Sequence, residues 1–231
     1  MTGLDLGAEP LPVSSTAEER RQRYEDVQQA IQLVLQGESS WVAAMASVAC
    51  LLHHAFGYFH WTLPRASLGR PPRLGAASAG CRLYNTSSSP GFYQAGPPGL
   101  DTLVIGPYQG HLGCLRIPYG RGVCGAAARS RRTQLVPDVS AFPGYIACAS
   151  STKSEIVVPM LEAGASAGPR EAPEGGAAFL ATAAAPAEEA PQGGTLLAVL
   201  DVDSDYPDAF TEVDLEHLER LCAWLGQQSY R

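Results

Sequence analysis

The stretch Leu196-Leu197-Ala198-Val199-Leu200-Asp201-Val202-Asp203 decides the fold class. It is an aliphatic run of strand length that closes on two acidic residues, Asp201 and Asp203, spaced two positions apart. Side chains with that spacing on a strand point to the same face of a sheet. The segment Glu155-Ile156-Val157-Val158-Pro159-Met160 is a second run of this kind, headed by Glu155. The two runs predict neighbouring core strands whose carboxylates converge.

Shorter segments before them also have strand character, because aromatic and β-branched residues favour strands. We predict strands at 103–108 and 114–119 around the turn Gln109-Gly110-His111, and an extended piece at 134–136. A further strand is predicted at 58–62 and resumes at 91–93. Glycines followed by good helix formers over 122–129 predict a loop that feeds a short helix.

Three longer helices are predicted from apolar spacing and caps. Thr16-Ala17-Glu18-Glu19 resembles a capping box, with Thr16 as N-cap and Glu19 at N3. The segment from Trp41 to Phe56 is apolar nearly all round, which predicts a buried helix. The segment from Phe210 to Gln228 has apolar residues at helical spacing, with Thr211 and Asp214 as candidate caps.

Two stretches have a composition that cannot supply a packed core, and we interpret both as insertions. Residues 63–90 are rich in Pro, Gly, Ser, Ala and Arg, and residues 162–194 are almost wholly Ala, Gly, Pro and Glu. Residues 1–15 are polar and predicted to be a loose tail. What remains over 16–231 is a single α+β domain in which helices pack on a mostly antiparallel sheet.

The composition limits which classes of partner and which cellular compartment we expect. The chain has 231 residues, 45% of them hydrophobic, and a formal net charge of −7. That balance argues against a nucleic-acid partner, which requires a basic surface. No signal peptide pattern is present, and no run reaches the roughly 20 apolar residues of a membrane helix. We therefore expect a cytoplasmic protein, with the nucleus as the alternative compartment, and reduced thiols.

The cysteines number six: Cys50, Cys81, Cys114, Cys124, Cys148 and Cys222. In a reducing compartment such cysteines are catalytic, metal-binding or inert. The chain contains no Cys-x-x-Cys or His-x-x-x-His pair, so we predict no metal site. Cys50 and Cys222 fall in predicted helices and are expected to be core residues, since free cysteine is commonly buried. Cys81 lies in the first insertion, where we expect an incidental thiol.

Six blocks in consecutive order carry a family resemblance: 103–110, 114–125, 134–139, 142–148, 153–159 and 199–204. They resemble the free methionine-(R)-sulfoxide reductases, which are built on a GAF domain. The resemblance runs from Glu18 to Gln227 apart from the two insertions. It implies a GAF-like fold and an oxidoreductase, thioredoxin-dependent L-methionine (R)-S-oxide reductase, that reduces the R epimer of free methionine sulfoxide.

The resemblance also implies roles for individual residues. Cys148 would be the nucleophile, Cys114 its disulfide partner, and Cys124 the auxiliary or alternative redox cysteine. The family's acidic substrate pocket maps onto Glu155, Asp201 and Asp203, and its aromatic wall onto Trp61 and Tyr93. Thioredoxin would supply electrons with no cofactor bound, and family members often pair as homodimers.

The residues themselves can support this chemistry. A thiolate attacks the sulfoxide sulfur while the oxygen gains a proton, which gives methionine and a sulfenic acid that a second thiol converts to a disulfide. Crowded carboxyl groups supply the acid, because nearby like charges raise the pKa of at least one of them. The same acidic cluster would bind the ammonium group of a free amino acid.

Two observations leave alternatives open. Cys124 lies where glycines lead into a helix, near Arg121, and a helix N-terminus and a cation both lower the pKa of a thiol. Local electrostatics therefore rank Cys124 as the most thiolate-rich cysteine, whereas the resemblance ranks Cys148 first. The family pattern continues with Asp after that cysteine, where this chain has Ala149. The alternative functions are a non-catalytic GAF small-molecule sensor and an inactive relative; the three-cysteine set favours the enzyme.

Overall fold

The computed structural model describes residues 9–59, 90–97, 99–109, 113–147, 151–162 and 194–230. Within these ranges the chain forms helices and strands in the order α1 (Ala17–Val34), α2 (Trp41–Ala55), β1 (Gly91–Ala95), β2 (Thr102–Tyr108), β3 (Arg116–Pro118), α3 (Gly122–Ser130), β4 (Gln134–Val136), β5 (Ser154–Leu161), β6 (Leu196–Ser204) and α4 (Glu212–Gly226). None of these helices is long and apolar enough to cross a membrane.

The strands form one antiparallel sheet in the order β3-β2-β1-β6-β5-β4. The longest ladder joins β5 to β6, from the pair Ser154 and Ser204 to the pair Leu161 and Leu196. The predicted α+β class with a mostly antiparallel sheet is confirmed, and so is each predicted strand from 91 onward, with β3 shorter than expected.

Alternation along the central strands divides the interior into two cores. Ile156 and Val158 of β5 face the core built with α1, α2 and α4, whereas Val157 faces a smaller core built with α3. On β6, Leu200 lies in the first core and Val199 in the second. One face of the sheet therefore carries the main helical core, and the other receives α3.

The predicted caps of α1 and α4 are present. The Thr16 N–H donates to Glu19 Oε2 at 2.7 Å, and the Glu19 N–H donates to Thr16 Oγ1 at 3.2 Å. At α4, the Thr211 N–H and hydroxyl both donate to Asp214 Oδ2 at 2.8 Å. Both helices therefore begin where the sequence predicts.

Asp214 also joins three distant parts of the chain. It is fully buried and accepts hydrogen bonds from Arg20 Nη1 at 2.6 Å and from the hydroxyls of Tyr24 at 2.8 Å and Tyr58 at 2.5 Å. Arg20, itself 4% exposed, lies over the Tyr58 ring at 4.3 Å from its centroid. The network fixes α1 and the turn after α2 against the first turn of α4.

The predicted strand at 58–62 is wrong for its described residues. Tyr58 and Phe59 lie in a turn after α2 and are fully buried. Strand propensity of aromatic residues largely reflects burial, and here the helical core provides that burial. Residues 60–62 lie outside the described residues.

Most of each predicted insertion also lies outside the described residues, which exclude 60–89 and 163–193. The ends of the second insertion are adjacent, because the Glu162 N–H donates to the Thr195 carbonyl oxygen at 2.9 Å. The domain boundaries themselves remain predictions.

Candidate active site

A pocket opens on the α3 side of the sheet. Its walls are the first turn of α3 with Arg121 before it, the loop residues Tyr145 and Ile146, and three carboxylates from β5 and β6. Those carboxylates belong to Glu155, Asp201 and Asp203. The pocket therefore lies on the sheet face opposite the main helical core.

Strand register brings the three carboxylates together. Glu155 of β5 pairs directly with Asp203 of β6, and Val157 pairs with Asp201. Because alternate residues share a face, all three acidic side chains point toward α3. The convergence predicted from the spacing of the acidic residues is present.

Cys124 enters this cluster from the first turn of α3. Its Sγ donates to Glu155 Oε1 at 3.8 Å, and the Cys124 and Glu155 residues are each 5% exposed. The thiol, one Glu155 oxygen and one Asp201 oxygen lie within 4.8 Å of one another. Gly125 permits this placement, since a Cβ there would meet the Pro118 carbonyl oxygen at 2.4 Å.

Burial raises the pKa of the Cys124 thiol well above its usual value, and the negative charges of Asp201, Glu155 and Asp203 raise it further. The expectation that the helix N-terminus and Arg121 lower this pKa is wrong. Arg121 is exposed to solvent, which screens its charge, whereas the carboxylates act on the buried thiol at short range. Cys124 is therefore a neutral thiol.

The Glu155 and Asp201 carboxyls are also shifted toward their neutral forms. Burial raises the pKa of Glu155 well above its usual range, and the charges of Asp201 and Asp203 add to this. Burial raises the pKa of Asp201 to about 6, opposed by hydrogen bonds that Asp201 accepts from Cys124 and Glu155. Among the described residues, Asp201 Oδ1 is buried with no hydrogen-bond partner. Burial and the like charges beside it therefore favour the protonated form of Glu155.

The same donor atoms are close enough together to hold a cation. The expectation that the chain binds no metal stays a prediction.

Tyr93 connects this cluster to a second cysteine. It lies on β1 beside β6 and is 5% exposed, and burial together with the charge of Asp201 raises the pKa of its hydroxyl. The Tyr93 hydroxyl accepts a hydrogen bond from the Cys114 backbone N–H. Cys114 is disulfide-bonded. The described cysteines Cys50, Cys124 and Cys222 are free.

The remaining predicted residues divide into two groups. Cys148 and Trp61 lie outside the described residues. Cys222 is buried in the main core, as predicted, and Cys50 is half-buried in α2. Neither residue lines the pocket.

Tyr145 was not among the predicted site residues, yet it lines the pocket. Its pKa is raised by burial and by the charge of Glu155. The signal that could have found it is the Pro143-Gly144 turn, because Gly144 has φ of +69° and turns the chain back toward α3.

Comparison with known proteins places these features in a family. Residues 46–228 match the GAF domain. The chain is 31% identical over 214 residues to GAF domain-containing protein A of Dictyostelium discoideum, which covers 93% of this chain and 96% of that protein. It is 37% identical over 137 residues to the free methionine-R-sulfoxide reductase of Saccharomyces cerevisiae, covering 59% and 60%, and 28% identical over 202 residues to that of Escherichia coli, covering 87% and 86%.

Solved structures agree. The free methionine-R-sulfoxide reductase of Neisseria meningitidis in complex with its substrate superposes with a TM-score of 0.62 at 30% identity, covering 95% of this chain and 93% of the other. The substrate complex of the Staphylococcus aureus enzyme superposes with a TM-score of 0.60 at 26% identity, covering 89% and 95%. The chain belongs to the GAF domain family.

Proposed function

We propose that this protein is an oxidoreductase that reduces free L-methionine-(R)-sulfoxide to methionine. The observation that carries the proposal is the cluster of the Glu155 and Asp201 carboxyls, whose pKa values are both raised, beside Tyr93, whose hydroxyl accepts a hydrogen bond from the backbone N–H of the disulfide-bonded Cys114. A thiol-based sulfoxide reduction requires both a proton donor and a redox-active cysteine. Similarity to the yeast, Escherichia coli and Neisseria reductases supports the same reaction.

The proposed chemistry balances in two stages. The Cys148 thiolate attacks the sulfoxide sulfur, the S–O bond breaks, and its oxygen is transferred to Cys148 as a sulfenic acid while methionine leaves. The Cys114 thiol then attacks the sulfenic sulfur, which releases water and forms a disulfide. Two electrons pass from the two cysteines to the substrate, and the dithiol of thioredoxin restores them by exchange.

The described residues supply the proton and recognise the substrate. Glu155, held neutral by burial and by its acidic neighbours, protonates the sulfoxide oxygen during attack. Asp203 and ionised Asp201 attract the ammonium group that a free amino acid has and a peptide-linked methionine lacks. The family resemblance gives Tyr93 and Trp61 as the aromatic wall beside the substrate's carbon chain, although Tyr93 is not among the residues that line the described pocket.

Cys124 enters the proposal as the third member of the predicted cysteine set, and the raised pKa of its thiol favours Cys148 as the nucleophile. The protein acts in the cytoplasm, where thioredoxin is available, and pairs as a homodimer, as related reductases often do.

The test is oxidation of NADPH coupled through thioredoxin reductase and thioredoxin, with free L-methionine-(R)-sulfoxide, the S epimer and N-acetylmethionine sulfoxide as substrates. We expect turnover of the free R epimer alone, abolished in Cys148→Ser. Cys50→Ser, which alters a thiol that does not line the pocket, is the matched control and is expected to retain turnover. Absence of turnover with either free epimer, in protein shown to be folded by circular dichroism, would contradict the proposal.

The second candidate is a GAF domain that binds a small molecule without turnover. Ala149, where the reductase pattern has Asp, favours it, as does the similarity to a relative named only as a GAF domain protein. Calorimetric titration with methionine sulfoxide in a turnover-negative preparation distinguishes this sensor, which binds, from an inactive relative, which does not.

A further inference from the structure

Cys124 is the one free thiol that contacts the acidic cluster among the residues the structure describes. It is 5% exposed, so a bulky protein reductant has little access to its sulfur. It is also free in a structure in which Cys114 is disulfide-bonded. These observations do not match a cysteine that exchanges electrons in each turnover.

The contacts of Cys124 are those of a hydrogen-bond donor. Its S–H faces Glu155 on β5 at 3.8 Å, and it also interacts with Asp201 on β6. The other titratable or charged groups around it are Asp203 on β6, Tyr93 on β1, Tyr145 in the following loop and Arg121 at the start of its own helix. Arg121 is exposed, so the charges of the acidic neighbours affect the Cys124 thiol more strongly than the charge of Arg121 does.

We propose that Cys124 is a positioning residue whose S–H donates to the Glu155 carboxyl, next to Asp201, and holds that carboxyl in the orientation that substrate reduction uses. The catalytic role of Cys124 rests on the proposed function, whereas its hydrogen bonding is independent of that function. No electron passes through Cys124, and its sulfur keeps its proton throughout the cycle.

The consequence for pH follows from the direction of donation. A hydrogen bond donated to a carboxylate stabilises its ionised form, and the Cys124 contact lowers the pKa of both partners relative to the same site without it. Removing the donor therefore moves the titration of the pair to higher pH. A hydrogen bond to a charged group changes the pKa by about one unit.

The experiment compares Cys124→Ser, which keeps a donor but cannot form a disulfide, with Cys124→Ala, which has neither property. Carbon-13 NMR of labelled Asp and Glu carboxyls follows the titration directly, and pH profiles of kcat and of kcat/KM follow its effect on turnover. We expect Cys124→Ala to shift the titration and the profile upward by about one unit, and Cys124→Ser to restore both and to sustain many turnovers. Cys50→Ser, in α2, serves as the control and is expected to match the wild type.

The outcomes separate this inference from the proposed function. If Cys124→Ser stops after a single turnover and accumulates oxidised protein, Cys124 is a redox cysteine and the inference is overturned. Equal carboxyl titrations in the wild type and Cys124→Ala would also overturn it. If the wild type shows no turnover while the NMR titration shifts as expected, the proposed function fails and the hydrogen-bond role of Cys124 stands.

Discussion

Asp201 shows how a single side chain can serve a site and weaken the fold. Its folded pKa of about 6 lies above the ordinary value of 3.8 for an aspartate, so folding favours the protonated form. The stabilisation is fully present below about pH 3.8 and is lost as the pH rises through about 6. At neutral pH the protein therefore holds an ionised carboxylate at a cost, as is common at functional sites.

We predict that Asp201→Asn is more stable than the wild type at pH 8, by roughly 2 kcal/mol, and less active with methionine sulfoxide. The added stability should largely vanish near pH 3, where Asp201 is mostly protonated in both states. Urea unfolding at the two pH values measures this, with the exposed Glu18→Gln as the control. A stability difference that is the same at both pH values would count against the argument.

At the scale of residues, the sequence predicts the interactions of side chains on the same strand, but not those of side chains on different helices and strands. The convergence of Asp201 and Asp203 follows from their spacing. The raised pKa of the Cys124 thiol cannot be predicted from the sequence of its own helix, because the carboxylates that help to raise it belong to β5 and β6. The local sequence contains Arg121, which would lower the pKa of the Cys124 thiol, but it does not reveal the burial that raises this pKa.

At the scale of elements, helix starts were predictable and one strand was not. Capping residues act within a single turn, so Thr16 with Glu19, and Thr211 with Asp214, identify the starts of α1 and α4. The aromatic pair Tyr58 and Phe59 has the propensity of a strand, but Asp214, 156 positions along the chain from Tyr58, accepts the Tyr58 hydroxyl. A contact so distant in sequence leaves no local pattern.

That network yields a stability prediction. Asp214→Asn keeps the size of the side chain but leaves Arg20 buried without a charged partner, which is expected to cost about 3–5 kcal/mol in the free energy of unfolding. The exposed pair of Arg21 and Glu18, 3.6 Å apart, is the comparison; Glu18→Gln is expected to change the free energy of unfolding by less than about 0.5 kcal/mol. Denaturant titration of both variants measures the difference, and similar losses would refute it.

For the whole molecule, the sheet fixes where extra chain can be accommodated. The β5–β6 ladder extends to Leu161 and Leu196, and the Glu162 N–H still bonds the Thr195 carbonyl oxygen. The strand ends therefore meet without help from residues 163–193, whose composition predicted an insertion. The order of strands across the sheet was beyond sequence reasoning, since it is set by pairings between distant segments such as β1 and β6.

We predict that replacing residues 163–193 with Asn-Gly, a dipeptide suited to a tight hairpin, preserves the fold. The free energy of unfolding should stay the same or rise by up to about 2 kcal/mol, because a shorter loop costs less entropy to close. Denaturant unfolding measures the free energy of unfolding, and turnover of the free R epimer checks that the pocket is preserved. Loss of cooperative unfolding would show that the segment contributes to the core.

The alternation along β6 has a consequence for how this protein can evolve. Leu200 and Val202 belong to the main core, while Asp201 and Asp203, interleaved with them, line the pocket. Adjacent codons thus experience separate selective pressures, one on packing and one on chemistry. If the proposed reaction were lost in a lineage, substitutions would accumulate at 201 and 203 while 200 and 202 stayed hydrophobic, so alternate positions of one strand would record the loss.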